Sequence, residues 1–213
     1  MQRWMAKSLK RKLSLFLLLA LSLPLVSTGF VSYQIAASIT EKNAKEAGLN
    51  TLKQIKDKLE FVIQDVENMS IYLIGEKEIQ FYLSNNEDDV VRYSLIIGTL
   101  TNLAFSKKYI SNITITPHNG KPSLSNSTIL QTELPALLEQ NEAVYRNQPK
   151  WWSPLYENQT TDGLKRVVSL VRNVRNIYTF REMGRLSISL DQQELGRFLQ
   201  EAGWEPRGQV LLL

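Results

Sequence analysis

The sequence has no cysteine and a single histidine, His118. That excludes disulfide-stapled scaffolds, thiolate-held zinc and iron–sulfur sites, and every multi-histidine metal centre. It also lacks a P-loop, a G-x-G-x-x-G, an H-E-x-x-H and a G-x-S-x-G. The phosphate-cradling, dinucleotide, zinc-protease and hydrolase chemistries built on those patterns therefore have no candidate residues. No catalytic residue, metal ligand or cofactor is assigned, and sensing or binding is expected rather than catalysis. His118 lies in the turn PHNGKP with no second ligand nearby in sequence.

Disorder of the whole chain is excluded by what is present, since 43% of the 213 residues are hydrophobic and 9% aromatic. The net charge of +4 is unevenly placed: Arg3, Lys7, Lys10, Arg11 and Lys12 stand at the amino terminus with no acid among them, while the rest of the chain holds 20 bases against 21 acids. A basic tip on a near-neutral body does not make a nucleic-acid surface, and no nucleic-acid partner is expected.

Leu13 to Thr40 is a run of 28 residues without a charge. A hydrocarbon layer of roughly 30 Å needs about 20 helical residues, so the run is long enough to span, with membrane lipid as its partner. Cations stay cytoplasmic, which places the amino terminus inside and everything after about residue 36 outside. A cleaved signal peptide is the competing reading, with Ser27 and Gly29 as its small residues and Pro24 as a helix breaker. Continuation of the apolar run past Gly29 into a helical segment favours the uncleaved anchor.

Leu52, Ile55, Leu59, Val62, Val66, Met69 and Leu73 are spaced alternately by three and four residues. This 3.5-residue repeat is either the seam of a coiled coil between two subunits or the apolar face of a helix covering a core. With no proline between residues 34 and 74, one helix is expected to leave the bilayer and continue for about 60 Å at 1.5 Å per residue. A stiff helix of that length transmits displacement.

Further on, Asn86 to Asp89 read as the acidic start of a helix over Val90 to Ala104, and Tyr109 to Thr116 as a strand. Residues 129–147 read as a helix, and Trp151, Trp152 and Tyr156 as an ordered loop or edge between two prolines. Arg166 to Asn173 and Arg185 to Leu190 read as antiparallel strands joined by a turn from Tyr178 to Gly184. Asp191 and Glu194 form a capping box for a helix whose stripe is Leu195, Phe198, Leu199 and Ala202, stopped by Gly203. Gly208 to Leu213 reads as the opening of a buried strand, so the sequence is expected to be a piece of something longer. Asn-x-Ser/Thr triplets begin at Asn68, Asn112, Asn126 and Asn158, and no role is assigned to them.

The order of these parts resembles the amino-terminal region of the membrane sensor histidine kinases of the YesM type, found in Gram-positive bacteria. The resemblance is carried by KSLKRKLSLFLLLALSLPL at 7–25, LEFVIQDVENMSIYLIGEKEIQFYL at 59–83, KWWSPLY at 150–156, VVSLVRNV at 167–174 and GRLSISLDQQELGRFL at 184–199. It implies a mixed α/β (α+β) architecture: one transmembrane helix, a long extracytoplasmic helix and a PAS-like CACHE domain with an antiparallel sheet. The expected divisions are a cytoplasmic tip at 1–12, a span at 13–36, a helical region at 37–85 and a sensor unit at 86–213, incomplete at its carboxyl end. It also implies a homodimer, a small extracellular ligand (a carboxylate, a sugar or a peptide), and a response regulator reached only through a kinase part that these residues do not include. In such units the ligand lies between the sheet and the loops over its face. Trp151, Trp152, Tyr156, Arg172, Arg175 and Tyr178 are the expected lining, combining aromatic walls with cationic donors; the bland alternative is core tryptophans and solvated arginines. Other one-span regulators, a chemotaxis-type receptor among them, or a secreted binding protein, remain alternatives.

Overall fold

A computed structural model describes residues 2–85, 89–140 and 148–200. They fall into two units divided between Lys53 and Gln54, and helix α1 (Gln2–Gly75) contributes to both. In the first unit α1 holds the one stretch among the described residues whose length and mean hydropathy, 2.1, suit a membrane crossing. Its leucines from Leu13 to Leu25 are exposed. Pro24 lies inside the helix, and the hydroxyls of Ser27 and Thr28 donate to its carbonyl at 3.0 and 2.7 Å. Hydroxyls bonded back onto their own helix carry no unpaired donor into an apolar medium.

The second unit is an antiparallel sheet whose helices pack on one face, except for a short one that lies over the other. After α1 come α2 (Lys77–Ser84), α3 (Val90–Phe105), β1 (Ile110–Pro117), β2 (Leu124–Ser125), β3 (Ile129–Thr132), α4 (Leu134–Gln140), β4 (Lys150–Trp152), β5 (Tyr156–Thr160), β6 (Gly163–Arg175), β7 (Glu182–Asp191) and α5 (Gln192–Gln200). The strand order is β2-β1-β7-β6-β5-β3, with β4 also paired to β6. This is the mixed helix-and-sheet class with an antiparallel sheet that the sequence implies.

Strand parity sets the two faces. Ile113 and Ile115 of β1 stand opposite Ile188 and Leu186 of β7, and Leu170 of β6 also stands opposite Ile188. All five are buried in one core with Val62, Val66, Met69 and Leu73 of α1, Leu83 of α2 and Leu100 of α3. The seven-residue stripe is thus divided: those four α1 residues are buried, Ile55 and Leu59 are half-buried, and Leu52 is exposed. Each fully buried Val or Leu contributes roughly 1.5–3 kcal/mol of transfer free energy. Gly184 of β7 lies against β1: a Cβ there would come within 2.5 Å of the Thr116 carbonyl oxygen.

Local details depart from the sequence reading in three places, and the Trp151–Trp152 segment takes the edge alternative and not the loop. Residues 129–132 form a strand, because an edge of β5 is available and Ile129 and Thr132 are β-branched; α4 starts only at Leu134. The Trp151–Trp152 segment is hydrogen-bonded as β4, and Tyr156 opens β5. The β6–β7 turn occupies residues 176–181, since the Asn176 side-chain oxygen accepts from both Tyr178 N and Thr179 N at 2.9 Å. Phe180 closes it with a left-handed φ of 57°. Asp191 caps α5 as expected, accepting from Gln193 N at 2.8 Å and Glu194 N at 3.3 Å. The reciprocal half of the box is missing, because Asp191 N already donates to the Tyr109 carbonyl and Glu194 pairs with Arg197.

Asp89 caps α3 through Val91 N and Arg92 N. The other proposed members of that helix start, Asn86, Glu87 and Asp88, lie outside the described residues, as do residues 141–147, Ala202, Gly203 and the Gly208–Leu213 segment.

Candidate functional site

On the face of the sheet turned away from α1, α2, α3 and α5, β1 and β7 present polar residues, by the same parity that makes the helix-side face apolar, beside the apolar Val171 of β6. Asn112, Thr114 and Thr116 of β1 stand opposite Ser189, Ser187 and Arg185 of β7, and Ser169 of β6 stands opposite Ser189. A cavity of about 540 Å³ lies over this face, within the usual range for small-ligand sites. β3, α4 and β5 close it with Thr132, Leu138, Glu139, Tyr156 and Asn158.

Its floor is a hydrogen-bonded network. Asn158 donates from Nδ2 to Asn112 Oδ1 at 2.8 Å; Asn112 donates to Thr114 Oγ1, which in turn donates to Ser125 Oγ, both at 3.1 Å. Beside it the Tyr156 hydroxyl meets Ser169 Oγ at 2.8 Å, and Ser169 donates to Ser189 Oγ at 2.8 Å. Burial raises the Tyr156 pKa above the ordinary phenol value, while hydrogen bonds from Ser169, Ser189 and Thr132 act against it. Shielded hydroxyls and amides held in this way form a preorganised polar surface.

The six residues expected to line a pocket do not converge on it. Tyr156 alone borders this cavity. Trp151 stands opposite Val171 on the cavity face of the sheet, whereas Trp152 and Arg172 take the opposite parity and face the helices. Trp152 packs against the core there. Burial lowers the Arg172 pKa, and the charge of Glu67 opposes it; the same Glu67 pairs with Lys150 at 2.5 Å. Arg175 ends β6 with an exposed side chain, and Tyr178 is 84% exposed in the turn. His118 is exposed just after β1, and among the described residues no three His, Asp or Glu side chains gather as a metal site requires.

The lining that forms in their place was missed because each residue is ordinary. Its signal lies in the alternation of YISNITIT and RLSISL: the apolar positions mark a core face, and the intervening polar ones look like a solvated face. Nothing in the two strands alone announces that β3, β5 and α4 will cover them.

A helix-backed, curled antiparallel sheet is a PAS-like fold, and solved structures with that fold match the chain. The chain matches "the extracellular domain of the putative histidine kinase vpHK1S-Z8" with a TM-score of 0.58 and 14% identity, covering 78% of this chain and 64% of that one. It matches a "domain of putative sensory box/GGDEF family protein" from Vibrio parahaemolyticus with a TM-score of 0.58 and 16% identity, covering 78% and 65%. The chain therefore spans less than two thirds of the length of either, and at these identities the likeness is one of fold. No family model matches the chain, and no curated protein does.

Proposed function

We propose that this chain is the membrane-anchored, extracytoplasmic input region of a two-component sensor histidine kinase of the YesM type, with a CACHE-like sensor unit. The observation that carries the reading is the covered, polar-floored cavity on a PAS-like sheet in a chain that also holds an apolar stretch of spanning length. The cavity receives an extracellular small molecule. The five cations before Leu13 keep the amino terminus in the cytoplasm. The chain performs no phosphotransfer; a kinase part outside these 213 residues would pass the signal to a response regulator.

Two copies are proposed to pair through the part of α1 that carries Leu49 and Leu52, both 57% exposed. Val62, Val66, Met69 and Leu73 are already used in the core of one copy. A second reading draws on the sensory box/GGDEF neighbour: the same input fold could serve an output other than a histidine kinase.

The test joins the full chain to the second span and catalytic core of a histidine kinase and reads phosphorylation of that kinase's regulator. Filling the cavity with Ser187→Trp is expected to change the signal level at unchanged protein abundance. An output that ignores Ser187→Trp and every other cavity-filling change overturns the sensing role.

A further inference from the structure

The outermost line of α3 carries no charge. Ile96, Leu100 and Ala104 turn into the core, and a surface helix ordinarily sets charged or polar side chains opposite its buried stripe. On α3 the opposite line is Val91, Leu95, Gly98, Asn102 and Phe105, all exposed, Phe105 by 84%. The one charged residue of the helix, Arg92, is committed within the chain: it pairs with Glu78 at 2.6 Å and Asp89 at 3.4 Å and lies over the Phe81 ring. Just past the helix, Lys107 pairs with Asp65, and Lys108 stands exposed at the rim.

The chain's own packing gives this line no purpose. Gly98 sits in the middle of the helix, where glycine is less stable than alanine, yet a Cβ there would meet nothing within 4 Å. From Val91 to Phe105 the line steps alternately by four and three residues, a heptad seam with Val91, Gly98 and Phe105 at d and Leu95 and Asn102 at a. A lone asparagine at an a position fixes register between two parallel helices, because each amide meets its counterpart. An antiparallel pair would set Asn102 against the partner's Leu95 and leave both amides unmatched. A glycine at the centre of the seam lets two backbones approach closely.

These features select the occupant. A partner recognised by charge finds nothing on the line to pair with, whereas a second copy presents the same neutral line and a matching amide. Val90, Val91, Leu95 and Phe105 leave on the order of 500 Å² of apolar side chain open, the size at which an exposed patch marks an interface. Two such faces bury on the order of 1,000 Å² together, the lower bound for a specific contact. Anchoring both copies in one bilayer strengthens it by raising their effective concentration.

Resting on the reading that the chain works as an anchored pair, we propose that α3 is a parallel seam between two copies, additional to the contact at Leu49 and Leu52. Val91, Leu95 and Phe105 pack against their counterparts, the two Gly98 positions set the closest approach, and the Asn102 amides pair across the two-fold axis. α3 packs on β1, whose Asn112 and Thr114 line the cavity, so the seam adjoins a strand that the cavity uses.

The chain has no cysteine, so single cysteines report the contact directly. Full-length Val91→Cys, Leu95→Cys, Asn102→Cys and Phe105→Cys are expressed in bacterial membranes and oxidised with copper phenanthroline, beside the exposed control Tyr178→Cys. The α3 variants are expected to form disulfide dimers roughly tenfold faster than the control; rates no higher than the control's overturn the seam. When differently tagged Leu95→Cys and Asn102→Cys copies are expressed together, like copies are expected to link and unlike copies not to. Preferential linking of unlike copies shows an antiparallel contact and overturns the parallel seam. Gly98→Glu has open space within its own copy and sets like charges across the axis. It is expected to slow linking through Leu95→Cys roughly tenfold or more at an unchanged melting temperature, and unchanged linking overturns the proposal. Should Gly98→Glu unfold the chain, Leu95→Glu read through Asn102→Cys serves. Linking at Leu52→Cys with none on α3 sinks this seam and leaves the pairing through α1 standing, whereas linking at neither overturns both.

Discussion

Gln80 is 7% exposed, and its side-chain amide makes three hydrogen bonds: to the carbonyls of Ile74 and Arg175 at 2.6 and 3.1 Å, and from Ile177 N at 3.3 Å. One side chain thereby ties the end of α1 and the body of α2 to the β6–β7 hairpin. Gln80→Leu keeps the volume but strands backbone groups away from water, so a loss of roughly 2–3 kcal/mol is expected, read as a lower denaturant midpoint at unchanged slope. Tyr156 gives a second residue-level expectation. Burial raises its pKa, so the folded state favours the neutral phenol, and its contribution is complete below the unfolded tyrosine value of about 10. As pH rises beyond that value the unfolded chain gives up its proton first, and stability falls. Tyr109, raised by burial and by the Asp65 carboxylate 2.6 Å from its hydroxyl, behaves in the same sense. Melting curves taken above neutral pH should therefore steepen downward near pH 10, less so in Tyr156→Phe. Equal alkaline slopes in the two proteins would show that Tyr156 is not the titrating group.

At the scale of elements, the α1 stripe separates two roles that share one periodicity. Val66 is fully buried against the sheet and Ile71, five residues on, is 54% exposed. Val66→Lys places an unpaired cation in the core and should cost roughly 3 kcal/mol or more, whereas Ile71→Lys should leave the melting temperature almost unchanged. Equal effects would mean that the helix packs by another face. Helices α1, α3 and α5 and strands β1, β6 and β7 were legible because their buried side chains repeat at 3.6 or at 2 residues over long stretches. Strands β3, β4 and β5 were not, being only three to five residues each and stable only where β5 and β6 offer them edges to pair with. The same shortness hid the candidate site. Trp152 and Arg172 were grouped with Trp151 and Tyr156 by chemistry, and only the register of β4 on β6 shows that the sheet stands between the two pairs.

For the whole molecule, the anchored and secreted readings predict different products from one gene segment. Leu13 to Thr40 carries no charge, α1 runs through it without a break, and Pro24 is accommodated within the helix. A signal peptidase needs an extended segment at its cleavage site, which a helix continuing past Gly29 does not supply. The mature protein is therefore expected to keep its basic tip, to sediment with membranes and to resist extraction by alkaline carbonate. With five cations on one flank and Glu41 on the other, alkaline phosphatase fused at the carboxyl end should be active, and β-galactosidase fused there inactive. Changing Lys7, Lys10, Arg11 and Lys12 to glutamine weakens the cytoplasmic retention of the amino terminus and should lower the phosphatase-to-galactosidase ratio. A soluble product beginning near Phe30 would remove the anchor and leave a secreted binding protein; an active galactosidase fusion on the native sequence would put the cavity in the cytoplasm, where no extracellular ligand reaches it.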